Sequence, residues 1–61
     1  MMKSGYDIKA GDKFNYGGFT YEATGDATGE FNAYVPVINE HTGLTGEIII
    51  PHGWEVIIDQ P

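Results

Sequence analysis

The chain has no cysteine, no arginine and a single serine, Ser4, among its 61 residues. Without cysteine no disulfide can staple so short a chain, and the composition fits a reducing compartment, so the expected location is cytoplasmic. Without arginine there is no planar fork to clamp an anion. Lysine is scarce as well: 3 basic residues face 9 acidic ones, a formal net charge of −6. That balance opposes direct nucleic-acid binding, which needs clustered Lys or Arg. It also opposes adsorption to an anionic membrane. No apolar run approaches the ~20 residues of a membrane helix. The opening Met1-Met2-Lys3-Ser4-Gly5 carries no apolar core of a signal peptide. Nor does any stretch hold the 3.6-residue apolar period over ten residues, which excludes extensive helix.

What is present is β chemistry. Hydrophobic residues make up 41% of the chain, weighted to Ile, Tyr, Phe and Val, and 9 glycines favour short strands and tight turns. The chain is organised around Gly46 to Ile58. Ile48, Ile49 and Ile50, and again Val56, Ile57 and Ile58, are β-branched and stiff at χ1, so they favour pleated strands. Between them Pro51 lacks an N–H and cannot sit inside a central strand, while Gly53 permits a tight bend. Alternation puts Trp54, Val56 and Ile58 on one face and Glu55, Ile57 and Asp59 on the other. Ile48 and Ile50 share a face opposite Glu47 and Ile49. Both strands thus carry apolar groups on both sides, as in a small barrel. Trp54, at the exit of the bend, is placed to cap the bottom of a small core.

Taken in order, residues 1–5 read as a frayed lead-in, and Tyr6, Ile8 and Ala10 alternate with Asp7 and Lys9 as a short strand or an extended arm. Ala10-Gly11-Asp12 is a turn. Lys13–Tyr16 and Phe19–Ala23 are strands separated by Gly17-Gly18, the two-residue signal of a hairpin with a primed turn. Residues 24–29 are polar and Gly-spaced and read as a mobile loop. Phe31–Asn39 is a longer strand whose Pro36 argues for an edge position or a bulge. Asn39–Gly43 is a hairpin loop, and Leu44 opens the strand that ends at Ile50. The expected fold is all-β: a five- to six-stranded antiparallel barrel, one domain over residues 1–61, with a short 3₁₀ turn near residues 51–53.

Ile50-Pro51-His52-Gly53-Trp54-Glu55-Val56-Ile57 resembles the last turn of an SH3-type barrel, where a strand ends in a hydrophobic-Pro step, turns through a 3₁₀ segment and resumes at an aromatic. Gly11-Asp12-Lys13-Phe14 followed by Gly18-Phe19-Thr20-Tyr21 is similar to the openings of bacterial and viral SH3-like barrels. The likeness covers about a third of the chain. It implies an SH3-like architecture in which Pro51 takes the family's turn proline and Trp54 the aromatic of its ligand groove. The Ala-Leu-Tyr-Asp-Tyr-type opening and the paired tryptophans of peptide-binding members are missing, so polyproline recognition is not implied. Small barrels of this look occur among phage and bacterial accessory proteins.

The residues that could carry chemistry are few. His41 and His52 fall in turns without a paired ligand spacing, and read as solvent-exposed side chains rather than metal ligands. Asp26 and Glu30 are paired carboxylates on a loop, which read as solvated surface groups rather than a general acid and base. With no activated nucleophile in sight, the chain is expected not to be an enzyme and to need no cofactor and no metal. The aromatics are the more informative set. Eight rings exceed what so small a shell can bury; Phe14, Phe19 and Phe31 are expected inside. Tyr16, Tyr21, Tyr34 and Trp54, with Pro51, are the candidates for a protein-binding patch, because exposed Tyr and Trp make interface anchors. The leading expectation is a protein-binding or assembly module. Self-association or docking into a larger complex would supply burial that a shell of this size lacks. The alternative is an acidic, phage-type inhibitor that mimics nucleic acid in a basic groove.

Overall fold

The computed structural model describes residues 1–59; Gln60 and Pro61, the last residues of the expected domain, lie outside the described residues. Six strands are formed: β1 (Met2–Ser4), β2 (Lys13–Tyr16), β3 (Phe19–Ala23), β4 (Ala33–Asn39), β5 (Thr45–Ile50) and β6 (Glu55–Ile58). They make one sheet in the order β1-β6-β2-β3-β4-β5, with every neighbouring pair antiparallel. The fold is all-β, as the β-branched runs require. The ladder does not close on itself: among the described residues β1 and β5 are its two ends, so the expected closed barrel is not formed by backbone pairing.

The hairpin of β2 and β3 is the element closest to its sequence signal. Gly17 and Gly18 both take positive φ, 60° and 85°, as a primed two-residue turn demands, and Tyr16 faces Phe19 across it. The β4–β5 hairpin is closed by Asn39, whose side-chain oxygen accepts from the His41 and Thr42 backbone N–H groups at 2.8 and 3.2 Å.

Four expectations are corrected. Residues 1–5 do not fray: Met2, Lys3 and Ser4 pair with Ile57, Val56 and Glu55, and the Met1 carbonyl accepts from Ile58 N at 2.7 Å. An otherwise free edge of β6 is what recruits them. The 3₁₀ turn is at Gly5–Asp7, where the frayed lead-in was expected to pass into a strand or an extended arm, and Ser4 caps it by accepting from Tyr6 N. At Pro51–Trp54 there is instead a β-turn, with Trp54 N donating to the Pro51 carbonyl (3.1 Å) and Gly53 at φ 84° in the third position. Pro36 is in the interior of the sheet rather than on an edge. Its carbonyl points towards β3 and accepts from Thr24 N (2.8 Å), just past the last β3–β4 pair at Ala23 and Val37. The reciprocal bond, from residue 36 N–H to the Thr24 carbonyl, is the one that proline cannot make, and the β3–β4 pairing stops there. That same loop, expected to be mobile, is tied down: Ala27 N donates to the Ile8 carbonyl, Ala10 N to Asp26, and Thr28 and Tyr34 exchange both backbone bonds.

The core gathers Ile8, Phe14, Ala23, Ala33, Val35, Val37, Ile50, Val56 and Ile58. Strand alternation supplies all but Ile8, which enters from the extended segment after the 3₁₀ turn. Gly5 is buried there because the far strands press on it. A Cβ on Gly5 would meet Ile50 Cγ2 at 2.9 Å and Ile50 Cβ and Ala33 Cβ at 3.0 Å. A chain segment beside β1 thus seats directly on β4 and β5, and the sheet must curl to allow it.

Outside the core, Lys3 Nζ donates to Asp12 Oδ2 at 2.8 Å, and Lys9 N donates to the same oxygen at 2.9 Å. The Lys3 hydrogen bond, helped by that of the Lys9 backbone, holds the Asp12 carboxyl below the usual carboxylate range. A lowered folded value means that the stabilisation is present above the unfolded value of about 3.9 and is lost as pH falls through the folded value.

Two outcomes are expected. Gly5→Ala should destabilise the protein by about 1–3 kcal/mol, because the atoms it meets are anchored close to backbone and cannot swing aside; urea unfolding with an unchanged midpoint would contradict the seating of Gly5. Asp12→Asn should lower stability at neutral pH and flatten its fall below about pH 4; parallel acid-unfolding curves for the two proteins would remove Asp12 from the account.

Candidate functional site

The turn end of the sheet assembles rings that are far apart in sequence. Tyr6 comes from the 3₁₀ turn, Phe31 from the segment before β4, and His52 from the turn after β5. The His52 ring stacks on Phe31, with centroids 4.8 Å apart and planes 19° from parallel. Tyr6 meets the same imidazole edge-on at 6.1 Å, its hydroxyl 3.5 Å from Nδ1. Asn32 Oδ1 accepts from His52 N at 3.2 Å and fixes the turn beside Phe31. The Trp54 carbonyl accepts from Gly5 N, which ties the exit of this turn to the residue before Tyr6. Phe31 is 67% exposed and Trp54 57%. These are large apolar surfaces left in solvent on rigidly held backbone.

The expected patch residues do not all share this end. Trp54 and Pro51 flank His52 in the chain, and Pro51 is half-buried. Tyr34 lies on the outer face of β4, opposite Ile49 and against Gly29. Tyr16 and Tyr21 are on the inner face and rest on the core. Tyr16 reaches from β2 to the β5 edge, donating from Oη to the Ile49 carbonyl at 3.2 Å. Tyr21 contacts the rings of Phe14 and Phe19. Trp54 does not cap the core.

Phe14 is fully buried as expected, but Phe19 and Phe31 are not. Residue 31 has the inward parity of Ala33, Val35 and Val37; β4 begins only at Ala33, so the chain has already turned Phe31 outward. Sequence reasoning therefore missed Phe31, His52 and Tyr6 as one group.

A second concavity lies at the other end of the inner face. Phe19, Tyr21, Val37, Leu44, Gly46 and Ile48 line a groove of about 330 Å³. Two ion pairs, Lys3–Asp12 and Lys13–Glu40, use two of the three lysines, so most acidic groups face solvent without a cation. Among the described residues no three His, Asp or Glu side chains come together in metal-binding geometry, and no helix is long and apolar enough to cross a membrane.

Phe31→Ala should leave stability within about 0.5 kcal/mol, since Phe31 is mostly exposed, while removing the ring-current shift of the His52 ring protons. Unchanged His52 resonances in an aromatic ¹H–¹³C spectrum would mean the stack does not persist in solution. Against known proteins, no family model, curated protein or solved structure matches the chain.

Proposed function

We propose that this chain is a non-enzymatic protein-binding or assembly module, an SH3-like barrel left open along one seam, that offers its partner the aromatic turn end. The observation that carries this reading is the exposure of Trp54 and Phe31 on backbone held by hydrogen bonds. Aromatic anchors whose positions are set before binding lose little entropy on docking, and Trp and Tyr dominate interface energetics. Trp54 is the central anchor, with Pro51 and His52 shaping its turn; Tyr34 offers a further ring on the outer face, and Tyr16 and Tyr21 hold the inner face beneath. The barrel reading draws support from two features: the seating of Gly5 on Ile50 and Ala33, and the four-residue turn joining β5 to β6 although they lie far apart in the strand order.

Trp54→Ala should keep its thermal midpoint, because the ring is largely in solvent, yet weaken capture of the partner from the source cell by about 2 kcal/mol or more. A folded variant that binds as tightly as the parent would refute the patch. Salt separates this mode from competition for a nucleic-acid groove. Aromatic docking should survive high ionic strength, whereas a complex built on the −6 charge should dissociate.

A further inference from the structure

The two ends of the sheet are not alike. β1 is a three-residue edge carrying Lys3, a protected ending; β5 is a six-residue edge with no lysine and no proline in it. The ladder decides which backbone groups of β5 are free. Asn39 N donates to the Leu44 carbonyl, and the β4–β5 register continues through Val37–Gly46 and Val35–Ile48. The Leu44 carbonyl and the N–H and C=O groups of residues 46, 48 and 50 are therefore directed at β4, and Thr45, Glu47 and Ile49 direct theirs away from the sheet. The Ile49 carbonyl is taken by Tyr16. The backbone groups of Thr45 and Glu47 lie beyond that contact, along the open seam.

Beside this edge runs the apolar groove. Phe19 is 48% exposed and Leu44 70%, and a Cβ on Gly46 would meet nothing within 4 Å, so another backbone can approach there. On the outer face of the same strand stands the exposed carboxylate of Glu47, in a chain of net charge −6.

We propose that the β5 edge is a second binding site that takes an extended segment of a partner as a seventh strand. The segment alternates apolar side chains, which lie inward along Leu44, Gly46 and Ile48, with lysines or arginines, which lie outward beside Glu47. Backbone pairing to Thr45 and Glu47 supplies the affinity, and the alternation supplies the selectivity. A second copy of this chain fits less well, because it brings −6 against −6.

The test titrates ¹⁵N-labelled protein with a short capped peptide alternating valine and lysine. The controls are the same peptide N-methylated at alternate residues, which cannot pair, and a valine–glutamate peptide. Saturable shifts and slowed hydrogen exchange at the Thr45 and Glu47 amides are expected, with both controls markedly weaker. Thr45→Pro removes a free donor without touching the β4 ladder and should weaken binding about three- to tenfold. Leu44→Asp, at a largely exposed position, should weaken it independently, and Trp54→Ala should leave it unchanged. The proposal is overturned if the valine–lysine peptide does not bind or if its N-methylated form binds equally. It also fails if the shifts fall at Phe31, His52 and Trp54, or if the protein alone dimerises through β5.

Discussion

The seating of Gly5 on Ile50 and Ala33 is the contact on which the remaining geometry rests. A flat six-stranded sheet would leave its first and last strands far apart. Here the chain leaving β1 lies within van der Waals contact of β4 and β5, which forces the sheet to wrap round Phe14, Ile8, Val35 and Ile50. Only a residue without a side chain can hold that position, because the opposing atoms lie at or close to the backbone. The 3₁₀ turn that begins there then delivers Tyr6 to His52 and leads the chain on to Ile8, so one close approach supports both the core and the aromatic end.

The wrap is uneven. Near Gly5 the sheet's ends come together, and Tyr16 of β2 bonds to the Ile49 carbonyl on the β5 edge. Towards the β4–β5 hairpin nothing comparable bridges them among the described residues, and the inner face stays open at Phe19, Leu44 and Gly46. The molecule therefore presents two surfaces of different physics. One is a rigid ring cluster, where affinity would come from buried aromatic area. The other is a strand edge, where it would come from backbone hydrogen bonds.

Much of the secondary structure was legible in the residues. Gly17-Gly18 specified its hairpin because glycine takes without strain the positive φ that a type I′ turn requires at both positions. The β-branched runs specified β5 and β6, and the alternation in Ala33, Val35 and Val37 specified the buried face of β4. Pro36 was misleading because the rule that bars proline from sheet interiors concerns a missing ladder donor. Here the missing donor costs one bond, to the Thr24 carbonyl, at the point where β3 ends. Met2–Ser4 carried no strand signal of their own. They are ordered by the pairing that β6 offers, a debt to sequence more than fifty residues away.

By itself the amino-acid order determined the all-β class, the positions of the tight turns, the acidic balance and most of the core, because these depend on local backbone preference and on side-chain period. The tertiary structure alone decided which rings meet water, that Phe31, His52 and Tyr6 form one stack, and which strand keeps an unpaired edge. Those properties depend on where the ends of the curled sheet come together, and that is set by contacts between residues as distant as Gly5 and Ile50, which no local pattern encodes.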